Sequence, residues 1–127
     1  MENDNTKVEL ARRAVNCYPK FRLLGGMLIE GGATNGPQRV IRRTPSDEVV
    51  LDDGFVGMVN VGHALPDLDD AATLGCLLAL VREAWGDRPV SLVHDWLSGC
   101  WKASIGTAHH EGATEAEALV AALEAAP

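Results

Sequence analysis

Val8, Ala11, Ala14, Val15 and Tyr18 recur at spacings of three and four, which places them on one stripe of an α-helix turned toward a core. Asn5 or Thr6 stands where the cap of that helix belongs, and Pro19 stops it. A stronger stripe follows at Leu74, Leu77, Leu78, Val81 and Trp85, with Asp69 or Asp70 as its N-cap and Gly86 where a left-handed C-terminal residue is expected. The third stripe is Ala116, Leu119, Val120 and Leu123. It is preceded by Thr114-Glu115-Ala116-Glu117, a capping box in which Thr114 serves the Glu117 amide and Glu117 reaches back to Thr114.

Between the helices the period changes to that of strands. Residues 21–30 are apolar and β-rich around Gly25-Gly26, glycines that permit a bend or close backbone approach, and a strong turn signal follows at residues 31–37. Residues 38–44 alternate, with Val40 facing one way and Arg39, Ile41 and Arg43 the other, so a hairpin is predicted there. Residues 48–51 and 55–61 flank Asp52-Asp53-Gly54, a second hairpin turn. Residues 62–70 read as a loop, and residues 88–95 and 100–108 as two strands joined through Trp96-Leu97-Ser98-Gly99. The expected fold class is α+β, a mainly antiparallel sheet packed by three amphipathic helices in the order α-β-β-β-β-α-β-β-α.

Composition narrows the class further. The 127 residues, 46% of them apolar, suit a single domain over residues 1–127, with a helix-plus-meander half (1–64) and a helix-hairpin-helix half (65–127), and exclude wholesale disorder. The net charge is −7, and its distribution is uneven. The first half carries eight bases and eight acids; the second has three bases, Arg82, Arg88 and Lys102, against ten acids. Such a half cannot neutralise phosphates, so nucleic acid is electrostatically disfavoured and a basic protein surface is the compatible partner. Three widely spaced cysteines, Cys17, Cys76 and Cys100, suggest a reduced, cytoplasmic setting. The acidic, polar first residues give no secretory signal, and the longest apolar run, residues 71–81, is about half of the roughly 20 residues a bilayer span needs, so no membrane association is expected.

Chemistry-bearing residues are few. His94-Asp95 and His109-His110-Glu111 are the clusters with acid-base or metal-ligand character, and a site would require His94, Cys100 and His109 or His110 to converge across the second-half hairpin. Adjacent strand residues face opposite ways, which opposes such convergence, and no Gly-x-Ser-x-Gly turn activates Ser91 or Ser98. No catalytic residue, metal or cofactor is therefore assigned. Asp67, Asp69 and Asp70 lack the glycine and the closing glutamate of an EF-hand loop and read as helix-capping and surface acids. Trp85 and Trp101 belong to the core, whereas Trp96 beside Leu97 occupies a connection and is a candidate binding anchor. Arg39, Arg42 and Arg43, with Arg12 and Arg13 nearby in the same half, form a basic cluster suited to a small anion.

Residues 65–87 (LPDLDDAATLGCLLALVREAWGD) and 112–123 (GATEAEALVAAL) resemble a group of small phage and prophage proteins described as having a phage αβα-sandwich domain, whose molecular function is not established. The resemblance spans residues 65–126 and carries no catalytic motif; it implies a fold and a phage or prophage setting. The ending, residues 101–123, is also similar to the strand-to-helix step of HicB-like antitoxin domains, an architectural likeness. Together these readings predict a non-enzymatic phage or prophage accessory protein in the host cytoplasm. It would bind a host or phage protein with a basic surface through Asp67, Asp69, Asp70, Asp95, Trp96 and Leu97. The alternatives are a nucleic-acid or anionic-ligand module using Arg39, Arg42 and Arg43, and a metal- or cysteine-dependent enzyme built on His94, Cys100, His109 and His110.

Overall fold

The computed structural model describes residues 2–30, 37–46, 48–57 and 64–127. The element order is α1 (Glu2–Val15), β1 (Leu28–Glu30), β2 (Gln38–Arg43), β3 (Val49–Leu51), β4 (Val56–Gly57), β5 (Leu65–Pro66), α2 (Ala71–Ala84), β6 (Ser91–Asp95), β7 (Cys100–Ile105), β8 (Ala108–Gly112) and α3 (Glu115–Ala125). The fold is α+β, with three helices and two antiparallel sheets, as the periodicities predict. No helix among the described residues is long and apolar enough to cross a membrane.

α1 begins at Glu2, so neither Asn5 nor Thr6 caps it. Its buried stripe is Leu10, Ala11, Ala14 and Val15, while Val8 is 41% and Tyr18 69% exposed. The helix ends before Tyr18, in turns where Cys17 and Tyr18 donate back to Ala14 and Val15, and so the expected stripe loses its phase there. Arg13 binds Glu124 and the Lys20 ammonium reaches the Ala126 carbonyl, which ties this segment to the end of α3.

The first sheet runs in the order β4-β3-β2-β1-β5. Of the apolar run at residues 21–30 only Leu28–Glu30 is strand; Phe21, Leu23 and Met27 are buried from irregular backbone. The glycines explain the break. Gly26 has φ +103° and donates to the Val40 carbonyl, and a Cβ on Gly25 would stand 2.8 Å from the Ile41 oxygen, so the chain passes too close to β2 for a side chain. The turn read at residues 31–36 and the strand continuation at residues 58–61 lie outside the described residues. The Asp53-Gly54 turn is present, with Gly54 at φ +93° between β3 and β4.

Two corrections concern strand number. The loop expected at residues 62–70 contains β5, which pairs with β1 through Ile29↔Pro66 and Glu30↔Leu65; an edge position tolerates the missing proline N–H. The single strand expected at residues 100–108 divides at Gly106-Thr107, a two-residue turn with Gly106 at φ +60°, into β7 and β8. The second sheet is therefore the meander β6-β7-β8.

Asp70 caps α2 by accepting from the Thr73 amide at 3.0 Å, and Gly86 is left-handed at φ +73°. Leu77, Leu80 and Val81 are fully buried; Leu78, expected beside them, is half-buried. α3 packs on β7, β8 and α2, and a Cβ on Gly112 would stand 2.6 Å from the Ala118 nitrogen, so the helix start lies directly on that strand end. Its capping box differs by one position from expectation. Thr114 accepts from the Glu117 amide, but the Glu117 carboxylate accepts from Ala113 at 2.7 Å rather than from Thr114. One hydrophobic cluster joins α1, both sheets, α2 and α3.

Candidate functional site

β5 and the turn after it set the site. The Asp67 amide donates to the Leu28 carbonyl and its carboxylate accepts from the Asp69 amide, which fixes the turn that delivers Asp70 to the head of α2. α1 crosses beside β5, and α3 begins on the same side. The three meet around a cleft of about 560 Å³. Val8, Leu10, Ala11, Leu65, Leu68 and Ala116 give it apolar walls, and Glu30, Asp67, Asp69, Glu117 and Lys7 supply the charged groups.

Four carboxylates therefore line the cleft against one ammonium, and that ammonium is paired with Asp69. The concavity suits an alkyl chain ending in a positive charge: the walls take the methylenes, and the carboxylates take the cation. Glu117 accepts from the Ala113 amide and Asp67 from the Asp69 amide, so both carboxylates are positioned by backbone donors.

Asp70 differs from its neighbours. Arg39 grips it with two bonds, 2.9 and 3.1 Å long, and Thr73 adds its amide and hydroxyl. The guanidinium first, then Thr73, hold the Asp70 carboxyl well below the usual carboxylate range. Asp70 is thus a cap and an inter-element tie. The same contact removes Arg39 from the basic cluster, for its guanidinium also donates to the Gly26 carbonyl. Arg42 is exposed, Arg43 is half-buried, and Arg13 is committed to Glu124.

Asp95, Trp96 and Leu97 form the tip of the β6-β7 hairpin and take no part in the lining of the cleft. Asp95 accepts from the Leu97 amide, a bond that lowers its carboxyl below the ordinary value, and Gly99 at φ +72° closes the turn. Trp96 is 78% and Leu97 80% exposed. Trp85, by contrast, is half-buried with its indole N–H on the Ala122 carbonyl, and Trp101 packs against the core.

His94, Cys100, His109 and His110 do not converge. His94 lies opposite Trp101, with ring centroids 5.0 Å apart, whereas Cys100 lies opposite Asp95. His109 bonds Ser104 at 2.9 Å, and His110, its neighbour on β8, stacks near Trp85 with centroids 5.8 Å apart. Strand alternation sends these two rings to opposite faces. Burial raises the Cys17 and Cys76 thiols, which disfavours their thiolates. Among the described residues no three His, Cys, Asp or Glu side chains stand together as a metal site would require.

The cleft was not visible in the sequence as a unit, because its walls come from segments around residues 6–11, 65–69 and 114–117. The sequence marks Asp67 and Asp69 as surface acids and Glu117 only as a member of a capping box; no local spacing links these to Glu30 or Lys7. Compared with protein-family models, with curated proteins and with solved structures, the chain matches none.

Proposed function

We propose that this chain is a non-enzymatic binding protein that takes a basic, partly apolar segment of another protein into the cleft between α1, β5 and the start of α3. The observation that carries this reading is the pairing of apolar walls with four carboxylates and a single, already paired ammonium. Charge steers the encounter and the walls hold the bound segment, so salt acts on association and wall substitutions act on release. The resemblance of residues 65–126 adds a phage or prophage accessory role to the proposal, with a host or phage protein as the partner.

Calorimetric titration with a short peptide of alternating lysine and leucine tests it, against a glutamate-leucine peptide of equal length. The basic peptide is expected to bind, and the acidic one not to. Glu30→Gln together with Asp67→Asn, the asparagine retaining an acceptor for the Asp69 amide, should weaken binding and flatten its salt dependence. Equal affinity for both peptides, or binding that the double variant leaves intact, would overturn the reading.

A further inference from the structure

Among the described residues β6 (Ser91–Asp95) forms one side of the second sheet and pairs with β7 alone. The Asp95 carbonyl accepts from the Gly99 amide at 2.8 Å and so points across the hairpin. Alternation then directs the backbone groups of Leu92 and His94 outward, along the open edge. The close His94 and Trp101 rings fit the same pattern, since side chains approach more nearly in a non-hydrogen-bonded pair.

Open edges invite pairing unless they are short, interrupted or charged. Among the described residues β4 and β5 of the first sheet are two residues long, and β5 contains Pro66. β8, equal in length to β6, carries two adjacent histidines, His109 and His110, and Glu111, which shares Lys102 with Asp95 at 3.6 Å. β6 is longer than β4 and β5, and its one formal charge, Asp95, is offset by Lys102 at 3.5 Å. Beside this edge Val93 is 55% exposed, and the apolar tip of Trp96 and Leu97 continues from its end.

We propose that two copies of this chain pair β6 to β6, antiparallel about a twofold axis at Val93, and so join their second sheets into one. In that register Val93 meets Val93, and Leu92 and His94 exchange backbone hydrogen bonds across the seam. Each Asp95 stands opposite Ser91, so no like charges face one another. A second copy fits this edge because the exposed Val93 meets its own counterpart on the axis and the one formal charge, Asp95, falls opposite a neutral serine. The chain's overall charge of −7 opposes association at a distance, so salt should tighten this dimer, whereas it should weaken occupation of the acidic cleft.

Sedimentation equilibrium with hydrogen exchange tests the proposal independently of the cleft. The expected result is a species of twice the 13.5 kDa chain mass, favoured by concentration and salt, with Leu92 and His94 amides protected as it forms. Val93→Lys, at an exposed position, places two ammonium groups across the axis and should return the protein to a single-chain mass with an unchanged circular dichroism spectrum. A wild-type protein of single-chain mass at all concentrations would overturn the proposal. So would a dimer that survives Val93→Lys, or one whose β6 amides exchange freely and pairs through another face.

Discussion

The Asp70 carboxylate accepts from Arg39 on β2, from its own helix at Thr73, and so joins the first sheet to α2. Thr73, fully buried, adds a second tie by accepting from the Leu28 amide at 2.8 Å. The unfolded chain has none of these partners and protonates Asp70 near pH 4. The folded state keeps it ionised to lower pH, so the unfolded state binds the proton first. This contribution is therefore complete above about pH 4 and is lost as pH falls toward the folded-state value. Urea midpoints measured between neutral and acid pH should show that fall in the wild type and a shallower one in Asp70→Asn. Identical pH profiles would remove Asp70 from the account. The sequence offers Asp69 or Asp70 as the cap, and the structure assigns it to Asp70; its partner Arg39, 31 positions away, reads as part of a basic cluster because no local rule connects the two.

Helices were the most legible elements, since their caps and stripes lie within a few residues of one another. Leu77 is fully buried on α2, and Leu77→Ala should cost about 2–5 kcal/mol, read from the denaturation midpoint. A near-wild-type midpoint would contradict its place in the core. Thr114 bonds the Glu117 amide at 3.1 Å, and Thr114→Ala should cost about 0.5–2 kcal/mol by leaving that amide without its cap. An unchanged midpoint would reject the cap. Strands were harder to read. β5 has two residues, one of them proline, and draws its definition from β1, which lies far away in the chain. The division between β7 and β8 had a local signal in Gly106-Thr107, but the apolar-polar run on both sides obscured it. The first turn of α1, Glu2 to Asn5, contains no apolar residue by which periodicity could mark it.

On the scale of the whole molecule, the fold class follows from local patterns, whereas the cleft follows from how α1, β5 and α3 meet. The negative excess of the second half does not form one acidic surface. Asp70 is bound to Arg39, Asp69 to Lys7, Glu83 to Arg22 and Glu124 to Arg13. The cleft gathers Asp67, Asp69 and Glu117 of that half, with Glu30, beside apolar walls. The most direct test is a two-dimensional amide NMR titration with the lysine-leucine peptide at low salt. The account predicts saturable shifts at residues 6–11, 65–69 and 114–117, reversed by added salt, with the Arg42 region unmoved. No saturable shift, or shifts confined to residues outside the cleft, would contradict it.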